Sequence, residues 1–176
     1  LEKRLSDLGY RAAALRSPPP LEVLVNASFD QPPGPQGQIP GWIPMAPPGV
    51  TIRIDKASPH DGPQSVRLAS TGPAGGLVSR AFAPPATGRL AVSVWFRTPD
   101  ATQQPPLRLT VEGKTAAGTF YRFAEFGQAA AGQGPLPSIP AKWGLFILPV
   151  TDLPLESLSA VRVRFDLLGP GEAALL

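Results

Sequence analysis

The 176-residue chain has no cysteine, one histidine and one methionine. Without cysteine there is no disulfide framework, no thiolate nucleophile and no cysteine-bound zinc. That absence does not assign a compartment. The lone histidine, His60, has no second imidazole or thiolate with which to hold a metal, and no nucleophile-elbow sequence accompanies it. No stretch approaches the roughly 18 apolar residues that span a bilayer. The opening Leu1-Glu2-Lys3-Arg4 is polar, unlike the apolar region of a signal peptide. Position 1 is leucine, so a segment of a longer protein is expected. One-sided charge is also missing: 16 Lys and Arg oppose 13 Asp and Glu, for a net charge of +3. The twelve arginines and four lysines are scattered among strands, which argues against a nucleic-acid footprint.

What the chain has in abundance is turn material, 18 glycines and 24 prolines. The bias toward Ala, Pro, Gly and Arg fits a GC-rich bacterial genome. The length suits one domain with a single core. Residues 1–20 read as an N-terminal helix followed by a proline-rich linker. Leu1, Leu5, Leu8, Ala12 and Leu15 form one stripe, and Ser17-Pro18-Pro19-Pro20 ends it. Two heptads are too few to specify a coiled coil.

From Leu21 to Leu176 the period changes to two. Val50, Ile52 and Ile54 alternate with Thr51, Arg53 and Asp55. Leu90, Val92, Val94 and Phe96 alternate with Ala91, Ser93, Trp95 and Arg97. Leu107, Leu109 and Val111 oppose Arg108, Thr110 and Glu112, while Val161, Val163 and Phe165 oppose Arg162, Arg164 and Asp166. Such alternation means antiparallel strands with one buried face. Further strands are expected at 77–82, 119–126 and 143–150, and one short apolar strand before Asn26. Pro154 to Leu158 fits one helical turn. Glu172 to Leu176 reads as a last strand stopped early, leaving an edge partly unpaired. Many short strands with turn clusters between them predict an all-β antiparallel sandwich of the jelly-roll kind.

The order of several motifs carries a resemblance. Asn26-Ala27-Ser28-Phe29-Asp30 comes first, then Gly41-Trp42 after a loop. His60-Asp61-Gly62 precedes the strand Ser65 to Leu68. Trp95-Phe96-Arg97, a strand opening on Trp143, and Gly169-Pro170-Gly171 follow. Together these resemble carbohydrate-binding modules of the family 4/9 type, within the galactose-binding-like jelly-roll group. The resemblance covers about residues 22 to 176. It implies a non-catalytic, carbohydrate-binding module of a larger, exported or envelope protein, with a glycan or polysaccharide and other domains of the same chain as partners. It also implies a structural calcium ion held in part by Asp30. The second acid of the family pattern would lie beyond Leu176.

For sugar contact the residues weigh as follows. An indole face stacks on the C–H face of a pyranose, and Trp95 lies on the side of its strand opposite the apolar residues, beside Arg97. Arg108, Arg162 and Arg164 then supply donors, or pair across strands with Glu112 and Asp166. Tyr121 shares a face with Phe123 and Glu125, a second candidate contact. Trp42 and Trp143 read as core residues. The expected ligand-binding set is therefore Trp95, Arg97, Arg108, Tyr121, Arg162 and Arg164, with Asp30 as the metal residue. The alternative is a structural or protein-interaction sandwich without sugar binding. No acid is presented in a recognisable catalytic setting, so no enzyme is expected.

Overall fold

A computed structural model describes residues 23–176. The expected N-terminal helix, and the linker up to residue 20, lie outside the described residues. Ten strands form two five-stranded antiparallel sheets. They are β1 (Trp42–Met45), β2 (Val50–Asp55), β3 (Ser65–Ser70), β4 (Gly75–Ser79), β5 (Leu90–Arg97), β6 (Pro106–Thr115), β7 (Gly118–Gly127), β8 (Gly144–Val150), β9 (Arg162–Leu167) and β10 (Gly171–Leu175). One sheet runs β1-β4-β9-β6-β7 and the other β2-β3-β10-β5-β8. The antiparallel jelly-roll sandwich expected from the alternation is what the described residues form.

The inward positions are the apolar halves of the alternating strands. Leu77, Leu107, Leu109, Val163, Phe165 and Leu167 come from the first sheet; Val66, Leu68, Val94, Phe96, Ala173 and Leu175 come from the second. Phe96 joins the two sheets, its ring 5.6 Å from Phe126 and 6.0 Å from Phe165. Burial of this kind contributes about 25 cal/mol for each Å² of apolar surface removed from water.

Several expectations are corrected. No strand precedes Asn26 over the described residues; residues 23–28 are turn and bend. Asn26 and Phe29 are left-handed there, with φ of 55° and 58°, a conformation that no strand contains. The Asn26 side chain explains the turn, since its Oδ1 accepts from the Gln31 N–H at 2.9 Å and its Nδ2 donates to the Pro40 carbonyl at 3.1 Å. β1 was not foreseen because Pro44 interrupts the sequence signal. As an edge strand, β1 tolerates a missing donor.

β10 is not an edge. It lies between β3 and β5, pairing with β3 from Gly171 to Leu175 and with β5 at Ala174 and Leu175. Leu176 continues that second ladder through reciprocal hydrogen bonds with Trp95 of 2.8 and 3.0 Å. Pro154 to Leu158 does form one helical turn, with the Leu158 N–H donating to the Pro154 carbonyl at 3.0 Å.

Candidate functional site

Alternation decides what each sheet presents outward, and register decides which of those residues become neighbours. On the first sheet, β9, β6 and β7 lie side by side. Their outward residues make three rows. Asp166, Arg108 and Glu125 form one; Arg164, Thr110 and Phe123 the next; Arg162, Glu112 and Tyr121 the third. The result is a small lattice in which arginines alternate with carboxylates, bordered by two aromatics on the outermost strand.

Two arginines of that lattice, Arg108 and Arg164, are tied down by carboxylates. Arg108 donates to Glu125 through Nε at 3.0 Å and Nη2 at 2.5 Å. Arg164 Nε lies 2.8 Å from one oxygen of Asp166 and 2.7 Å from the other. Ionised partners make such bonds short and strong. Tyr121 and Phe123 are 55% and 46% exposed, because β7 has no neighbour beyond it. Their rings sit 6.1 Å apart with planes 21° from parallel, and the Arg108 guanidinium lies 4.7 Å from the Phe123 ring centre. Thr110, buried and small, sits between Arg164 and Phe123. A shallow hollow of about 220 Å³ opens here, lined by Arg108, Thr110, Glu112, Tyr121, Phe123 and Arg164 among others.

Four of the six expected contact residues, Arg108, Tyr121, Arg162 and Arg164, thus share one face. Trp95 and Arg97 do not join them, because β5 belongs to the other sheet and turns them to the opposite side of the molecule. There the loop between β2 and β3 covers Trp95. His60 stacks on its indole at 4.1 Å and 22°, and meets Trp143 edge-on at 5.8 Å. Arg97 lies 5.3 Å from the Trp143 ring and 3.7 Å from Asp55, and Arg67 bridges to Glu172. Around Trp95 this face is closed by its own charges and its own histidine.

Trp143 is not a core residue. It precedes β8 in phase with Leu145 and Ile147, which are 48% and 53% exposed, while Phe146, Leu148 and Val150 take the inward positions. Parity showed that the three residues share a face; it did not show which face was buried. Trp42 does pack inside, 5.1 Å from Phe29 and 5.5 Å from Phe165, with its Nε1 donating to the Asn26 carbonyl at 3.1 Å. Phe123, Glu112 and Thr110 complete the candidate face. The signal for them was parity with Tyr121 and Arg108.

Asp30 is exposed. Calcium takes six to eight oxygens, with carboxylates prominent among them. Among the described residues no group of three or more Asp, Glu or His side chains converges on one point. The carbonyls on either side of Asp30, those of Phe29 and Gln31, already accept from Gln64 Nε2 at 2.6 and 2.9 Å.

No protein-family model matches the chain, and no curated protein matches it. Solved structures do. The CBM22-1 xylan-binding domain of Paenibacillus barcinonensis Xyn10C is 14% identical with a TM-score of 0.57, over 84% of this chain and 85% of that one. TmCBM61, solved in complex with β-1,4-galactotriose, is 13% identical with a TM-score of 0.52, over 88% of this chain and 93% of that one. The enzymatically active domain of bacteriophage CBA120 tailspike protein 4 is 14% identical with a TM-score of 0.58; the match spans 87% of this chain and only 20% of the tailspike. The chain has the jelly-roll fold of carbohydrate-binding modules. Identities this low speak for the fold alone.

Proposed function

We propose that this chain is a non-catalytic glycan-binding module whose site is the outer face of β9, β6 and β7. The observation that carries the reading is the exposed Tyr121–Phe123 pair beside two arginine–carboxylate pairs, Arg108–Glu125 and Arg164–Asp166, already locked in place. A polysaccharide offers two surfaces, apolar C–H faces and rings of hydroxyls. The aromatic pair matches the first. The Arg108–Glu125 and Arg164–Asp166 pairs match the second with donors and acceptors that lose little freedom on binding, because each partner already holds the other. Glu125 and Asp166 serve here as fixed acceptors and not as general acids, since each is engaged by an arginine. The fold shared with a xylan-binding domain and with a galactotriose-binding module supports the glycan class. A place outside the cytoplasm, within a larger exported or envelope protein, follows from the same reading.

The test is retention on a panel of insoluble polysaccharides, followed by titration with soluble oligosaccharides of whichever one retains the protein. Tyr121→Ala is expected to weaken binding about tenfold, the equivalent of about 1.4 kcal/mol. Trp95→Ala, on the opposite face, is expected to bind as the parent does. Retention on none of the polysaccharides would sink the reading, and a loss confined to Trp95→Ala would move the site.

A second reading is a joining module that binds protein. Leu145 and Ile147, exposed side by side on the outer face of β8, favour it. Sedimentation of the domain with its chain neighbours, before and after Ile147→Lys, separates the two readings.

A further inference from the structure

We infer that the side-chain amide of Gln64 occupies the place of a structural cation, so that the turn at residues 26–31 is held without a divalent metal. The backbone sets the problem. Phe29 is left-handed, with φ 58°, and the carbonyls of Phe29 and Gln31 converge on the buried Gln64 side chain, the first bond buried and the second partly so. Two carbonyl oxygens that converge in this way need an electropositive group between them, the more so for the buried one. A cation answers that need, and so does a group with two N–H donors.

Gln64 is such a group. It is 3% exposed, and its Nε2 lies 2.6 Å from the Phe29 oxygen and 2.9 Å from the Gln31 oxygen. An amide nitrogen carries two hydrogens, one for each carbonyl. The carboxylates nearby are otherwise placed. Asp55 faces Arg67 and Arg97, Asp61 lies 2.7 Å from His60, and Asp30 is exposed. Asp30 instead rests against Gly62, where an added Cβ would come within 2.2 Å of its Oδ1. Gly62 and Gln64 belong to the loop between β2 and β3, so one loop closes on the turn twice, by close approach and by the amide.

Thermal unfolding of the unmodified chain tests this directly, in excess chelator and in millimolar calcium chloride. The midpoint is expected to be the same in both. A saturable rise with calcium overturns the inference and restores a metal at Asp30. Gln64→Glu keeps the shape but replaces both donors with oxygens facing two carbonyls. It is expected to lower the midpoint in chelator by roughly 5–10 °C and to regain part of that loss when calcium is added. A Gln64→Glu variant as stable as the parent in chelator overturns the inference, as does one whose loss calcium leaves untouched. None of these readouts depends on sugar binding, so they stand or fall apart from the proposed function.

Discussion

Phe29 shows how two residue-scale terms compete. A left-handed φ of 58° costs an L-residue with a Cβ about 1–2 kcal/mol, whereas truncating a buried aromatic costs about 3–5 kcal/mol. Phe29 is 1% exposed and touches Trp42, so burial wins and the strain is tolerated. The comparison makes an unusual prediction. Phe29→Ala loses the ring and keeps the strain, while Phe29→Gly loses the ring and relieves it. In urea unfolding, Phe29→Gly is expected to be the more stable of the two variants by about 1 kcal/mol, although both fall well below the parent. The opposite order would mean that the turn is not held left-handed. Phe29 was legible as a core residue from the sequence, but its backbone was not. An apolar run before Asn26 reads as strand by period, and the Asn26 side chain overrides it, accepting from the nearby Gln31 N–H and donating to the distant Pro40 carbonyl.

At the scale of elements, alternation located most of the strands and told which residues share a face. It carried no information on which strands lie side by side. The single site expected from Trp95 and Tyr121 divided for that reason, since β5 and β7 fall in different sheets. Trp143 failed for a related reason: in an edge strand the outward face also holds large apolar residues, Leu145 and Ile147, so composition does not identify the inside. Packing between neighbours also sets Gly76. β4 is buried throughout between β1 and β9, and a Cβ at Gly76 would fall 1.9 Å from the Phe165 carbonyl and 2.7 Å from Asp166 Oδ1. The first of these is backbone and cannot rotate away, so β4 and β9 must separate. Gly76→Ala is expected to cost about 1–3 kcal/mol and to raise amide exchange along β4 and β9 more than along β2 and β3. Uniform exchange across both sheets would place the strain elsewhere.

The whole molecule presents two outer faces with opposite characters. One is closed at its centre by its own loop, where His60 lies over Trp95 and Arg67 and Arg97 are matched by Asp55 and Glu172, while Leu145 and Ile147 stay exposed at its β8 edge. The other leaves its aromatics bare. On that open face Arg108 is matched by Glu125 and Arg164 by Asp166, and Arg162 lies opposite Glu112 in register. The net charge of +3 is therefore not concentrated at the proposed site. A balanced face attracts no counterion cloud of one sign, so the proposed glycan is expected to be neutral and its affinity to respond little to ionic strength. Raising sodium chloride from about 0.05 M to about 0.5 M shortens the screening length from roughly 14 Å to roughly 4 Å, which weakens attraction to a polyanion steeply. For the oligosaccharide that the protein retains, calorimetric titration at those two salt concentrations is expected to give affinities within about twofold, well below the tenfold step of about 1.4 kcal/mol. Glu125→Gln removes one carboxylate and leaves Arg108 unmatched; it is expected to weaken the neutral ligand and to add salt-sensitive retention on an acidic polysaccharide. A steep salt dependence in the unmodified protein would show instead that the arginines meet charge in the ligand.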